Sequence, residues 1–388
     1  MTHSAGGLER RLGLRDAVVI GLGSMLGAGV FVVWGPAAAR AGSGPRLLLA
    51  LLLAALVAAA NAASSARLAA RYPESGGAYV YGYERLGPWA GRLAGWSFLI
   101  GKSASCAAMA LAIGAYAWPG QQRAIGVAAV VLLTAVNLRG IAKTALATRA
   151  LVAVTLIVLV TAVACGMVAP VAPASADAAG GDVIGAAGLI FFAFAGYARI
   201  ATLGEEVRDP ARAIPRAIGI AFGAVLAVYV GVALVCLRVL GSAGLADSAA
   251  PLADVTRAAG AAVLVPVVRG GAVVAVVGVL LALIAGVGRT ALAMARRGDL
   301  PRGLAAVRRG VPARAELAVA GVVIVLVLVG GLGSAIALSS CAVLIYYAVA
   351  NAAAWTLPGR WWTRLVATFG LLACLVIMAA TLRSLLPG

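Results

Sequence analysis

The chain has 388 residues, 63% of them hydrophobic and only 11% charged, with a formal net charge of +18 and a mean hydropathy of +1.04. That composition excludes a soluble globular domain and points to a polytopic membrane protein. The positive charge does not indicate a nucleic-acid partner, because the arginines lie between apolar runs rather than in one patch. They read as an orientation signal and as contacts with anionic membrane lipid.

In chain order, residues 1–14 are polar and basic, and the apolar run behind them is too long for the core of a cleaved signal peptide. They read as a cytoplasmic segment. Eleven spans are then predicted, at roughly 15–39, 46–66, 89–118, 123–139, 147–169, 183–207, 215–240, 265–295, 314–332, 335–357 and 363–386, each about 17 residues or longer. The third and eighth are long enough to tilt. Between them, 67–88 reads as an inner helix-turn and 169–182 as an outer loop. Segment 241–261 reads as the longest outer connection, with a short amphipathic helix. With the N-terminus inside, inner segments hold 21 basic residues and outer segments seven. That bias supports a cytoplasmic N-terminus, and an odd span count leaves the C-terminus outside. Arginine supplies 29 of the 31 basic residues, which with the Ala and Gly content suggests a GC-rich bacterial genome and a bacterial cytoplasmic membrane.

The first span holds Gly21-Leu22-Gly23-Ser24-Met25-Leu26-Gly27-Ala28-Gly29-Val30-Phe31, with four glycines in nine residues. Glycine lets backbone order lapse and lets a ligand approach the main chain. In lipid, irregular backbone is tolerated only where protein buries it or it lines a cavity. A helix break is predicted here. Five spans later, Phe191-Phe192-Ala193-Phe194-Ala195-Gly196-Tyr197 sets aromatic residues beside small ones, and a second break is predicted. Five is odd, so the two halves run in opposite directions, the pattern of inverted repeats with a site at the breaks. A broken helix offers unpaired N–H groups where one half starts and unpaired C=O groups where the other ends. The first suit a carboxylate and the second an ammonium. The alternative reading is that the small residues form close helix-packing faces.

At these residues the chain resembles the amino acid–polyamine–organocation (APC) superfamily. Gly23 to Phe31 is similar to its span-one motif. Tyr72-Pro73-Glu74-Ser75-Gly76-Gly77-Ala78-Tyr79 resembles its inner loop after span two. Phe191 to Tyr197, followed by Glu205-Glu206-Val207-Arg208-Asp209-Pro210 and Ile214-Pro215, resembles span six and its exit. Arg289 to Pro301 resembles the end of span eight. The resemblance implies an all-α 5+5 inverted-repeat fold with broken spans 1 and 6. The transporter core would be 15–357, with repeats at 15–169 and 183–357, and 358–388 would hold a peripheral eleventh span. It implies that the N–H groups of Gly27, Ala28 and Gly29 hold a substrate carboxylate. The carbonyls of Met25, Phe192 and Ala195 would hold its amino group. Gly23, Ser24, Phe191, Ala193, Phe194 and Gly196 would line the break, and Phe192 would be an aromatic gate or, alternatively, a core aromatic. There are departures. Ala198, followed by Arg199, stands where relatives often carry an acid. Thr155 stands at the mid-span-five position that holds lysine in some proton-coupled relatives, and relatives commonly have twelve spans or more.

Lys102 lies well inside the third span, where a lysine costs about 2.5–3.5 kcal/mol unless it faces protein or water. An amine so placed either yields a proton or finds acceptors. It is a candidate for proton coupling or a second substrate contact, against a packing or snorkelling role. Glu205, Glu206 and Asp209, near Arg208 and Arg212, read as gate or loop ion pairs. The seven tryptophans read mostly as interfacial anchors.

The expected function is secondary active transport of an amino acid by alternating access, proton-coupled or exchanging. A neutral substrate is favoured because no acid lies mid-membrane beside the breaks. The alternative is an amine, polyamine or cationic amino acid exchanger of the same fold. No catalytic residues, metal ligands or cofactor motif are expected: the one histidine is His3, the five cysteines have no paired spacing, and no phosphate-binding loop is present. An enzyme would need intramembrane acids or metal ligands, and a channel would need pore-lining polarity.

Overall fold

The computed structural model describes residues 12–72, 76–140, 145–173, 180–201, 207–307 and 311–383. His3, Pro73 to Ser75, Lys143, Glu205 and Glu206 lie outside the described residues. The elements are helical: α1 (Leu14–Met25), α2 (Ala28–Val32), α3 (Trp34–Ala41), α4 (Gly44–Arg71), α5 (Ala78–Leu86), α6 (Pro88–Ala117), α7 (Gln122–Leu138), α8 (Ala145–Val168), α9 (Val183–Phe194), α10 (Ala198–Ala201), α11 (Pro210–Ala246), α12 (Pro251–Ala258), α13 (Val265–Arg297), α14 (Ala313–Val329), α15 (Leu332–Trp355) and α16 (Trp361–Arg383). Among the described residues, nine helical stretches are long and apolar enough to cross a membrane. The two other expected spans are the shorter apolar helices Val183–Tyr197 and Ala313–Val329.

Proline at the first positions of α4, α6, α11 and α13 starts these helices, since its missing N–H is one the helix would leave unpaired anyway. The seventh span runs past its expected end at 240, because a glycine kink at Gly241 (φ 68°) joins a further turn to it. The expected amphipathic helix of 241–261 is α12, and the expected inner helix-turn holds α5. Two faces result. The N-terminal face gathers Leu12, α5, Arg149, Asp299 and Thr356. The far face gathers Arg40, Asp182, α12 and Gly330.

Span three is the enclosed centre, with Gly101 through Tyr116 buried without interruption. It packs on α15, where a Cβ at Gly101 would lie 2.7 Å from a Val343 methyl and 3.2 Å from the Ser339 carbonyl. Exposed Leu132, Val160, Val168, Val325 and Leu372 give the outer helices an apolar surface suited to lipid. Trp34 departs from the anchoring expectation. It is fully buried, and its indole N–H donates to the Val30 carbonyl at 2.9 Å. Trp89, Trp118, Trp355 and Trp361 are exposed near helix ends.

Candidate functional site

The first break falls at Leu26–Gly27. Leu26 (φ −79°, ψ 40°) ends α1, its N–H donating to the Leu22 carbonyl. Gly27 (φ −89°, ψ −146°) is non-helical, and α2 starts at Ala28. Val33 keeps helical angles (φ −73°, ψ −24°), so α2 and α3 form one nearly continuous half-helix. Its first amides, from Ala28 on, have no carbonyl within the helix to pair with. The second break is one 3-10 turn, Ala195–Tyr197, between α9 and the short α10.

The two breaks touch through their backbones. A Cβ on Gly29 would lie 2.5 Å from Ala193 Cα, and one on Gly196 would lie 2.3 Å from the Ser24 carbonyl oxygen. Neither space exists for any larger residue. Met25, Ala28, Gly29, Phe191, Ala193, Phe194 and Ala195 are all buried. Phe192 is buried as well, in the last turn of α9.

The carbonyls expected to meet an amino group have protein donors. The Tyr229 hydroxyl, fully buried on α11, lies 2.6 Å from the Met25 carbonyl and 2.9 Å from that of Ala193. The Phe192 carbonyl accepts the Ala195 N–H. The Ala195 carbonyl lies 3.3 Å from Lys102 Nζ and 3.4 Å from the Tyr347 hydroxyl. Lys102 therefore faces the protein interior beside the second break. An aromatic shell closes over the breaks: Phe194 meets Tyr229 edge-on at 4.9 Å, Phe191 meets Tyr347 edge-on at 5.9 Å, and Tyr197 stacks on Tyr347 at 5.0 Å.

From the N-terminal face a cavity of about 310 Å³ enters between α1, α8 and α13, and Gly23, Ser24, Thr155, Val279 and Arg199 are among its lining residues. Arg149 and Asp16 pair at its edge at 2.6 Å. The Ser24 hydroxyl donates to the Ile20 carbonyl and the Thr155 hydroxyl to that of Leu151, each at 2.8 Å. The cavity thus unites Gly23, Ser24 and Thr155, and excludes Lys102. Toward the far face the half-helix is packed solid: Phe31, Val32, Val33 and Trp34 are buried, and the Tyr116 hydroxyl donates to the Phe31 carbonyl at 2.9 Å.

Outside the breaks, charged clasps hold the frame. On the far face, Arg40 reaches Asp182 with Nε at 3.0 Å and a terminal nitrogen at 2.7 Å. The other Asp182 oxygen caps α9 by accepting the Gly185 N–H at 2.7 Å. Burial pushes the Asp182 carboxyl up, but the Gly185 N–H and the Arg40 guanidinium outweigh it and hold the carboxyl below the usual range. On the N-terminal face, the Tyr79 and Tyr83 hydroxyls both donate to Asp299, at 2.7 and 2.6 Å, with Arg297 above both rings. Asp209, expected in a gate ion pair, sits at the start of α11 with left-handed angles. Its carbonyl accepts the Arg212 and Ala213 N–H groups.

Tyr116, Tyr229, Tyr347 and the Arg40–Asp182 pair were not foreseen. The usable signal was a tyrosine in the middle of an apolar span, whose hydroxyl must find a partner when buried.

A family model described as amino acid permease matches residues 12–384. An uncharacterized transporter of Mycobacterium tuberculosis is 57% identical over 387 residues, covering 96% of this chain and 86% of that protein. A branched-chain amino acid permease of Bacillus subtilis is 28% identical over 331 residues, covering 77% of this chain and 70% of its own. A chloroplastic cationic amino acid transporter of Arabidopsis thaliana is 25% identical over 332 residues, covering 77% and 57%.

Proposed function

The chain belongs to the amino acid permease family of the APC superfamily, and on that premise we propose that it is a secondary transporter for a neutral amino acid, working by alternating access. It is an integral membrane transporter and not an enzyme. The finer reading rests on one observation: two helix breaks meet backbone to backbone, buried at Gly29–Ala193 and half-buried beside the cavity at Gly196–Ser24.

In this reading the amides of Gly27, Ala28 and Gly29 receive the α-carboxylate, aided by the positive end of the half-helix. The carbonyls of Met25, Phe192 and Ala195 receive the amino group, and Phe192 covers the substrate. Spans 1–5 and 6–10 act as inverted repeats, with the eleventh at the periphery. The N-terminal face is cytoplasmic, in a bacterial cytoplasmic membrane, so the Thr155 cavity is the inner approach to the breaks.

The preference for a neutral side chain has a charge argument. Among the described residues, the lining of the cavity holds one carboxylate, Asp16, which is paired with Arg149. Lys102 at the second break and Arg199 just beyond it in the cavity lining both oppose a second positive charge on the substrate. The named relatives divide on this point, the B. subtilis permease being named for branched-chain amino acids and the A. thaliana transporter for cationic ones, so the preference rests on the charge argument. Lys102 is placed for coupling, to protons or by exchange, or for a second substrate contact.

The test is counterflow in proteoliposomes loaded with unlabelled neutral amino acids. Labelled neutral amino acid should accumulate against its gradient, and lysine, arginine and polyamines should not compete. Exchange of cationic substrates alone would overturn the neutral assignment.

A further inference from the structure

The far-face end of span three carries an arginine whose charge no carboxylate balances. Arg269, one turn into α13, donates from Nε to the Tyr116 carbonyl at 2.8 Å and from a terminal nitrogen to the Ala115 carbonyl at 3.3 Å. These are last-turn carbonyls of α6, which the helix itself leaves unpaired, so the arginine closes that helix end. The two bonds use part of the guanidinium fork and leave its other N–H groups open. Among the described residues no carboxylate pairs with Arg269. Asp254, on the adjoining α12, is already committed: one oxygen pairs with Arg257 and the other accepts the Ser248 hydroxyl at 2.6 Å.

Beside this arginine lies a cavity of about 430 Å³, lined by Tyr116, Ala117, Pro266, Arg269, Gly270 and Val273. The Tyr116 hydroxyl is turned to the Phe31 carbonyl, so the guanidinium is the polar side chain left in an otherwise apolar lining. A Cβ on Gly270 would meet nothing within 4 Å, and the groove is open at that point. Gly270 shares an exposed stripe with Val263, Val267 and Val274, and Trp118 is exposed at the end of α6. On helices that cross a membrane such a stripe faces lipid, and such a tryptophan marks the interface. The groove therefore opens sideways into the membrane at headgroup depth, away from the cavity that reaches the breaks.

We propose that this groove binds an anionic phospholipid of the far-face leaflet, its phosphate on Arg269 and its glycerol and upper acyl chains along Gly270, Val267 and Val274. The phosphate supplies the counter-charge that an arginine at the edge of the hydrocarbon needs, and a guanidinium fork suits its oxygens. A free anion would gain that contact but not the apolar walls. A zwitterionic lipid would bring its own cation beside the arginine. The site depends only on the chain lying in a membrane, not on the amino acid reading. It also adjoins the first half-helix: Arg269 holds the Tyr116 carbonyl, and the Tyr116 hydroxyl holds Phe31.

The experiment is native mass spectrometry of the purified protein titrated with dioleoyl phosphatidylglycerol or dioleoyl phosphatidylcholine, for wild type, Arg269→Gln and Gly270→Leu. Wild type should retain phosphatidylglycerol in preference to phosphatidylcholine. Both variants should lose one bound phosphatidylglycerol from the adduct series, its affinity falling roughly tenfold or more. Gly270→Leu fills the groove and leaves the Arg269 bonds in place. It should melt no lower than wild type without lipid, since leucine is the better helix former, so its lost lipid cannot be a folding defect. Replacing ammonium acetate by ammonium phosphate at equal ionic strength should not displace the lipid. An unchanged phosphatidylglycerol series in Gly270→Leu overturns the proposal. Equal retention of phosphatidylcholine by wild type overturns the anionic preference. Displacement by phosphate would make this a site for the free anion, and the lipid assignment would fail.

Discussion

Gly29→Ala is the sharpest perturbation of the paired breaks. Its new methyl would lie 2.5 Å from Ala193 Cα and 2.7 Å from Ala193 Cβ. The obstacle is backbone, so no rotamer change relieves it. Forcing one methyl into a filled core costs about 1–3 kcal/mol, roughly 5- to 150-fold in an equilibrium constant at about 1.4 kcal/mol per tenfold. Since the clash separates the breaks themselves, the cost should fall on substrate affinity as well as on stability. Gly219→Ala is the control: it lies on an exposed face of α11 with nothing within 4 Å. There alanine should stabilise by up to about 1 kcal/mol through helix propensity. The assay is thermal unfolding of the purified protein with and without saturating amino acid. Gly29→Ala should melt lower and lose most of the ligand-induced shift, while Gly219→Ala should keep it. A Gly29→Ala protein with the full shift would refute the reasoning that the contact of the two breaks forms the site.

Other predictions follow the same contacts. Tyr229→Phe keeps the ring against Phe194 but strips the donor from two buried carbonyls; it should cost about 1–3 kcal/mol, and an unchanged melting temperature would contradict it. Asp182 contributes stability above the ordinary carboxylate range, because its folded value is depressed, and that contribution is lost as pH falls through the folded value. The melting temperature should therefore drop below about pH 4, and Asp182→Asn should flatten that acid limb; an identical acid limb in the variant would remove the clasp from the account. On the opposite face, burial and the Asp299 carboxylate push the Tyr79 and Tyr83 phenols above their ordinary value. Asp299→Asn should weaken both bonds, each worth about 1.5–3 kcal/mol for a charged acceptor. Backbone hydrogen exchange across Ala78–Leu86 should then speed up, and unchanged protection would argue that packing alone holds α5.

Local pattern made the breaks legible. Gly27 and Gly29 declare an interrupted helix within one short segment, and the small residues at Ala193–Gly196 declare the other. What the pattern could not supply is partnership across the chain. Tyr229 reaches Met25 over 204 positions and Lys102 reaches Ala195 over 93, and nothing in the local sequence of either names its acceptor. The same limit explains Arg40 and Asp182, which read separately as a span-end charge and a loop residue. Periodicity and hydropathy report which surface is apolar; which backbone oxygen a buried hydroxyl meets depends on how eleven segments pack. Trp34 shows the converse error, since a tryptophan near an expected span end looks interfacial until the half-helix carries it inward.

The central claim is that backbone atoms at the two breaks read an α-carboxylate and an α-amino group together. Equilibrium binding to the purified protein tests it most directly, comparing one neutral amino acid with its decarboxylated amine and its deaminated acid. The account predicts that the amino acid binds and that each truncated ligand loses roughly tenfold or more, because a buried group is left unpaired. An amine without a carboxylate that binds as tightly as the parent amino acid would contradict it.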